Sequence, residues 1–533
     1  MTNDECDPKL MHNHLKNLYR DVDHQGTIPT FPGLKADDVK ITHPFDMGPI
    51  RQEELEKVFK ITSNTRDPYG VYYGVFANLP CTHNYLLTLL TTLLHSRTLD
   101  HDLNVAWKHT SVFMQYKKGD AKDPKNYRPI ILMGIVVKMF HKILNNRIYN
   151  YMTDNGIMDS QIQKGLQRNL NGVMENTILC KEVINDARNG NRDMQMLFLD
   201  MENAYGSLRH PFIRYVLNKY QFPKEIATYV SAFYWDATAH IIVDEQFTEP
   251  FEWQKGVLQG DALSNVLFVV CMNIILVDLD RKFHHLGYQI GDERTLLMAF
   301  VDDIALVTEK EEDAHTVLKE LYQILDWCGF RLKPEKSRIL RLQQGLPVPP
   351  PPTVDAFMMQ DQPVLSVGND GQFKYLGAPI TETGDEEIVY KDLAIDLETK
   401  FQYVNQMKMG KSYNLKNKDK LWLYITYLGP QIRWKFVNSI WSSAVRQKIE
   451  DLESQYLSQW SDKDTHLAIL ERRRKMVDKR QEYIFKCSTD HRIQALSEKR
   501  YGKITDEEKD KIKEKIDAMG KEKCQFYSRM DED

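Results

Sequence analysis

Apolar positions change their period along this chain, and the changes mark its parts. The first forty-odd residues are polar and show no clear period. Glu53 to Phe59 and the more apolar Leu86 to Leu94 read as short helices, and Ser111 to Gln115 as a strand before a charged turn, Lys117 to Asp123. Ile130 to Tyr151 and Val173 to Ala187 carry apolar residues at mostly helical spacing, which predicts two amphipathic helices. The pattern then shortens. Met194 to Leu199 (MQMLFL) is an apolar run ending in Asp200, as a buried strand does. Helices are predicted over Pro211 to Tyr220 and Lys224 to Trp235, and strands over His240 to Val243 and Phe251 to Lys255. A long apolar helix follows over 262–283. Leu296 to Ala305 is apolar except for Asp302 and Asp303, which predicts two strands joined at a tight acidic turn. Glu311 to Cys328 reads as a helix and Ile339 to Leu342 as a strand. Pro347 and Pro349 to Pro352 mark a loop that can be neither helix nor central strand. Lys374 to Leu376 is a short strand, and from Glu386 onward only helices are expected. Strands separated by helices but also paired as hairpins imply an α+β fold rather than a doubly wound sheet.

Composition narrows the class. At about 150 residues per domain, 533 residues suggest three to four structural units. The 42% hydrophobic and 27% charged content is that of an ordinary soluble globular protein, large enough to need no covalent staples. The seven cysteines are scattered and none forms C-x-x-C, which argues against a zinc knuckle or a disulfide framework and fits a reducing compartment. A net charge of −5 is not that of a uniformly basic nucleic-acid binder, yet one basic channel on an acidic protein still binds a phosphate backbone. The opening MTNDECDPKL has no signal-peptide pattern. The most apolar window, Ala262 to Leu279, holds Ser264, Asn265, Asn273 and Asp278 and reads as a buried helix rather than a membrane span. The expected location is the nucleus or cytoplasm, with no membrane partner.

The chemistry lies in three aspartates. Asp200 ends an apolar strand, and Asp302 and Asp303 sit in the turn of an apolar hairpin, AFVDDIAL. Carboxylates beside buried strands cost free energy unless they are paired or bind metal. A divalent cation removes their mutual repulsion, and Mg²⁺ favours carboxylates together with substrate phosphates. Two such ions ~3.5–4 Å apart activate an attacking hydroxyl and stabilise a leaving pyrophosphate. The plain alternative for any Asp-Asp pair is a solvated turn.

The surrounding wording is specific in its order. YKKGDAKDPKNYRPI (116–130), QKGLQRNLNGVMEN (163–176), LFLDMENAYGSLRH (197–210), GVLQGDALSNVLF (256–268), AFVDDIALV (299–307), WCGFRLKPEKS (327–337) and FKYLGAPI (373–380) occur in sequence. Together they resemble the reverse transcriptases of non-LTR retrotransposons, closest to the site-specific branch that inserts into ribosomal DNA. The resemblance covers roughly residues 110–380. It implies a right-hand polymerase: an N-terminal extension over 1–100, fingers over 101–195, and a palm over 196–380 with a Pro-rich loop at 345–353. A helical thumb over 381–460 and a charged helical tail over 461–533 complete it.

The resemblance also implies roles. Asp200, Asp302 and Asp303 match the metal-binding aspartates, which hold two Mg²⁺ ions or Mn²⁺ in their place. The Met201 carbonyl would complete the shell of the nucleotide metal. Tyr205 stands where the family places its sugar gate, its alternative being a core ring; Gly206 leaves room beside it. Gln259 and Gly260 match the pair close to the incoming dNTP and template; Asn265 stands where the family usually has proline. Lys118 and Arg128 match basic positions that touch the triphosphate. Lys117 is equally placed, and Arg128 has a local ion pair as its alternative. Lys336 matches a lysine proposed to protonate pyrophosphate, with a solvated lysine as the plain reading. Phe373, Tyr375, Leu376 and Gly377 match the primer grip. Trp422, Tyr424, Tyr427, Trp434 and Trp441 form an aromatic stripe that is either thumb core or a brace for duplex. ERRRKMVDKR (471–480) reads as a solvated mixed-charge helix, with a phosphate contact or a nuclear address as alternatives.

The implied activity is RNA-directed DNA polymerisation, with an RNA template, a DNA primer or target DNA 3′ end, and dNTPs as partners. No GDD sequence is present, which argues against RNA-templated RNA synthesis. No zinc-finger cluster or endonuclease region is visible, which fits extension of a supplied 3′ end without cutting a target, and equally a degraded element, a domesticated gene or one fragment of a longer open reading frame. The alternative is a catalytically idle polymerase fold serving as a nucleic-acid scaffold.

Overall fold

The computed structural model describes residues 6–21, 40–60, 66–96, 105–168, 170–234, 237–243, 246–349, 355–370, 373–382, 386–409, 413–432, 443–488, 490–501, 505–512 and 514. Trp235, Trp434, Trp441 and Pro350 to Pro352 lie outside them. The fold is α+β. The chain divides into two compact units. The first comprises Met1–Asp159, Met201–Lys282 and Leu318–Leu332, and the second Ser160–Asp200, Phe283–Val317 and Lys333–Asp533.

In the first unit a helix, Pro8–Leu18, occupies a stretch whose sequence shows no period. The Asp7 carboxylate caps it by accepting the Lys9 N–H at 2.9 Å, and Pro8 sits in the first turn, where its missing N–H costs nothing. Met11 and Leu15 anchor it. The helix expected over Ile130 to Tyr151 is instead a strand, Tyr127–Leu132, followed by a helix, Ile135–Asp154. Pairing decides the matter: Tyr127–Leu132 runs antiparallel to His109–Tyr116, with Ser111 opposite Leu132. A short apolar run fits either period, and a partner strand distant in sequence settles it. His109–Tyr116 also pairs in parallel with Thr238–Val243. The strand expected over Phe251 to Lys255 is only Phe251–Glu252. Ala262–Phe283 is the long apolar helix. Among the described residues it alone is long and apolar enough to cross a membrane, and 83% of that stretch is buried within the protein.

The second unit is built on a six-stranded sheet whose main path, Leu346–Pro347, Arg338–Gln343, Met194–Leu199, Asp303–Thr308, Leu297–Phe300, is antiparallel throughout, with Leu365–Ser366 pairing in parallel with Arg338–Gln343. Met194–Leu199 is central and buried at every residue. Pro347, expected in a loop, closes the sheet's edge, where its missing N–H faces no partner strand. The helix Gly172–Asn189 packs on the sheet through Leu179, Val183 and Ile184, each contributing about 1.5–3 kcal/mol on burial. Beyond it, Glu386–Gln406, Asn417–Leu423, Ser443–Trp460 and Lys463–Cys487 share a core around Phe401, Tyr424, Ile449 and Leu457. This region is not wholly helical: Lys408–Met409 and Tyr413–Asn414 form a small hairpin. The basic run at 471–480 is not wholly solvated either, since Arg473 is buried and paired with Glu453 at 2.5 Å.

Candidate active site

Three aspartates gather at one end of the second unit's sheet. Leu199 pairs with Ile304, so the antiparallel register carries Asp200 opposite Asp303. Asp303 in turn pairs with Phe300, which leaves Val301 and Asp302 as a two-residue turn. The hairpin predicted from AFVDDIAL is therefore present, with Asp303 opening its second strand. Partial desolvation, then the charges of Asp302 and Asp200, push the Asp303 carboxyl up to about 6. Asp303 remains open to solvent, so repulsion is the part a bound cation would relieve. The Asp200 carboxyl is also raised by burial, against the opposing pull of Lys336 and Lys333. Among the described residues, no three carboxylate, histidine or cysteine side chains are drawn close enough to enclose a metal ion. The donor set is nonetheless hard oxygen, which suits Mg²⁺ or Mn²⁺.

The run KPEKS fastens Asp200 from the other side. The Lys333 N–H donates to the Asp200 carbonyl at 2.9 Å, and the Asp200 N–H donates to the Ser337 hydroxyl at 3.1 Å. That hydroxyl donates to the Lys333 carbonyl at 2.8 Å, closing a ring of hydrogen bonds. Ser337 is buried, and sequence reasoning passed over it in favour of Lys336. Lys336 is exposed, and its charge acts on Asp200.

Phe373–Tyr375 and Ala378–Ile380 form a hairpin in the same unit. Its turn residues, Leu376 and Gly377, both have positive φ, 48° and 76°, as a type I′ turn requires. The Tyr375 ring is buried against Phe198, with centroids 5.1 Å apart. Phe373, half-buried, lies 4.9 Å from the same ring. Tyr375 thus holds the hairpin down, while Lys374 and Gly377 are exposed and Phe373 and Leu376 are half-buried. Leucine is a poor occupant of the left-handed region. Leu376→Asn is expected to raise stability by roughly 1 kcal/mol, read as a higher denaturation midpoint.

The residues matched to nucleotide contacts belong to the first unit, where backbone hydrogen bonds gather most of them. Met201 is buried and bridges to Leu332. Tyr205 is half-buried and stacks on Phe268, centroids 4.5 Å apart and planes within 5°. Its carbonyl accepts the Val257 N–H at 2.8 Å, and the Leu208 carbonyl accepts that of Gly256 at 2.7 Å. This contact demands glycine: a Cβ on Gly256 would lie 2.6 Å from the Gly206 Cα. The Gln259 carbonyl accepts the Ile131 N–H at 2.7 Å, which ties the Gln259–Gly260 loop to the strand bearing Arg128. Arg128 and Lys118 are exposed, Lys118 in the turn after His109–Tyr116.

A buried polar chain supports this loop. His141 joins the Asp261 carboxylate at 2.8 Å and the Tyr229 hydroxyl at 2.7 Å, and the Trp107 indole N–H donates to that hydroxyl at 3.0 Å. His141 and Asp261 are both sequestered from solvent. Asp261 directly follows Gln259–Gly260. Its partner lies 120 residues away, so only the fold reveals the pair.

Residues 116–380 match the family model described as reverse transcriptase (RNA-dependent DNA polymerase). The chain is 27% identical over 277 residues to the retrovirus-related Pol polyprotein from the type-1 retrotransposable element R2 of Nasonia vitripennis, covering 51% of this chain and 26% of that one. It is 26% identical over 438 residues to the corresponding polyprotein from the type-2 element R2DM of Drosophila melanogaster, covering 81% and 39%. A probable RNA-directed DNA polymerase from transposon BS of the same fly is 22% identical over 464 residues, covering 85% and 48%. The chain thus spans between about a quarter and a half of the length of these curated relatives. Order of motifs, acidic hairpin and family match agree: residues 116–380 are a reverse transcriptase domain similar to those of R2-type non-LTR retrotransposon polyproteins.

Proposed function

We propose that this chain is an RNA-directed DNA polymerase that extends a primer 3′ end with dNTPs through two divalent cations. The observation that carries the reading is the gathering of Asp200, Asp302 and Asp303 at one sheet end, where partial burial, then the charges of Asp302 and Asp200, push the Asp303 carboxyl up to about 6. In this reading the three carboxylates hold the two ions, and Lys336 supplies a proton toward pyrophosphate. Arg128 and Lys118 meet the triphosphate, Gln259 and Gly260 lie against the nucleotide, and Phe373 to Gly377 hold the primer. The architecture follows a right hand, with fingers over 101–195, palm over 196–380 and thumb over 381–460. Trp422 and Tyr427 are exposed and meet edge to face at 5.8 Å, which suits them to brace a duplex, while Tyr424 is buried. The partners are an RNA template, a DNA primer or target 3′ end, and dNTPs.

The test is primer extension by the purified chain on an RNA template with an annealed DNA primer, dNTPs and Mg²⁺. Extension that EDTA stops and Mg²⁺ restores supports the reading. Tight primer–template binding without extension, with either Mg²⁺ or Mn²⁺, overturns it in favour of an idle scaffold. Tyr205 gives a second check. Its ring rests on Phe268 and would collide with a ribose 2′-hydroxyl. Tyr205→Ala is expected to raise ribonucleotide incorporation on the order of tenfold or more in competition with dNTPs. Unchanged sugar selectivity would reduce Tyr205 to a packing role.

A further inference from the structure

The run QKGLQRNLNGVMEN (163–176) contributes no atom to the chemistry proposed above, yet it is built into the acidic hairpin. Ile162 to Lys164 lies alongside Leu297–Phe300: the Ala299 N–H donates to the Ile162 carbonyl at 2.8 Å, and the Lys164 N–H donates to the Ala299 carbonyl at 2.9 Å. Asn176, fully buried, donates its Nδ2 to the same Ala299 carbonyl at 3.0 Å. Gln163, also fully buried, turns its side chain to the tip of the hairpin. Its Nε2 donates to the Val301 carbonyl at 3.0 Å, and its Oε1 accepts the Val301 N–H at 2.8 Å. Oε1 also accepts the Gly165 N–H at 2.9 Å. Two N–H donors meeting one end of the amide and a carbonyl meeting the other fix its orientation.

One side chain therefore satisfies both backbone groups of one residue, the residue directly before Asp302. Val301 needs that hold. Its φ is 60°, and a β-branched residue in the left-handed region costs on the order of 1–3 kcal/mol. Such a conformation persists only where the surroundings over-determine it. Gly165 brings the clamp close: a Cβ there would lie 2.6 Å from the Val301 nitrogen and 2.6 Å from its Cγ2. A buried glutamine that merely met its own hydrogen-bonding needs would have no cause to select the one strained residue of the acidic turn.

We propose that Gln163, seated by Gly165, is a positioning residue whose amide holds Val301 in its left-handed conformation and so sets the direction in which Asp302 and Asp303 leave the turn. This rests on the polymerase reading of those carboxylates. Gln163→Met keeps length and flexibility and removes both hydrogen bonds to Val301 together with the one from Gly165. It is expected to lower kcat about 100-fold, the cost of misplacing a reacting group by roughly 1 Å, with the dNTP KM and primer–template Kd within about threefold of native. Mn²⁺ affinity, followed by electron paramagnetic resonance without substrate, is expected to weaken about tenfold. Val301→Gly removes the strain at this position, because glycine adopts positive φ freely. Added to Gln163→Met, it should recover most of kcat and of Mn²⁺ affinity. A purely structural role would lower the melting temperature without that recovery.

Native kcat and Mn²⁺ affinity in Gln163→Met overturn the inference, and so does a deficit that Val301→Gly leaves untouched. Should Gln163→Met not fold, residue-resolved hydrogen exchange on the native chain decides. The Val301 amide is expected to be protected like a strand amide although it lies in a turn, and fast exchange there refutes the clamp. If the native chain extends no primer, the polymerase reading itself has failed, while the Mn²⁺ and exchange measurements still report on the clamp.

Discussion

Asp302→Ala is expected to lower primer extension by about three powers of ten or more while leaving primer–template binding within about twofold of native. Metal-ion stabilisation of a phosphoryl-transfer transition state amounts to several kcal/mol, and each 1.36 kcal/mol is about tenfold in rate. Asp302 occupies the second position of a two-residue turn, so its removal deletes a carboxylate and little packing. The fold should survive, which separates chemistry from stability. Asp302→Asn should lose nearly as much, because an amide keeps the shape and discards the charge. Single-turnover extension beside a binding titration checks both. Extension by either variant within tenfold of native would remove Asp302 from the metal site and leave the solvated turn as its description.

Asp490→Ala is expected to destabilise the second unit by about 3–5 kcal/mol, the cost of stranding a buried charge. Lys164, buried, places its ammonium 2.6 Å from Glu175 and 2.5 Å from Asp490, and Arg492 adds a contact to Asp490 at 2.8 Å. Arg492 also donates to the carbonyls of Leu297 and Gln161, on either side of the clamp described above. Burial opposes ionisation of Asp490, but the Arg492 and Lys164 charges win and hold its carboxyl far below the usual range. The sign follows from that depression. The unfolded chain binds the proton more readily, so the contribution is fully present above about pH 4 and is lost as pH falls through the lower folded value. Between pH 7 and pH 3 the gap between the thermal melts of native and Asp490→Ala should therefore stay full down to about pH 4 and only begin to narrow below it, closing at pH values under the lowered folded one. Equal melting temperatures at pH 7 would show that the pair is not closed in solution.

What the sequence disclosed followed from how local each feature is. Asp200, Asp302 and Asp303 were legible because apolar runs bound them on short, regular strands, and Glu311–Cys328 because its period persists for five turns. Ile130 was misread because it belongs to an apolar run that fits either period, and only the strand His109–Tyr116 decides it. The Pro8–Leu18 helix was missed because its apolar face is sparse, although Asp7 and Pro8 are an adequate cap signal. Gln163 and Ser337 stayed hidden for another reason. Each acts on a backbone group 137 or 138 residues away, and no pattern within one segment reports such a contact. Tyr375 shows the converse, since a matched motif names the residue without saying that its ring is buried.

The link between Lys164 and Asp490 joins residues 326 positions apart. On the ribosome, Lys164 emerges hundreds of residues before Asp490 and Arg492, and until they arrive it has only Glu175 against which to be buried. A chain released early, by a frameshift or a premature stop upstream of Asp490, therefore carries Asp200, Asp302 and Asp303 and lacks the charges that pair with Lys164 and reach the strand beside it.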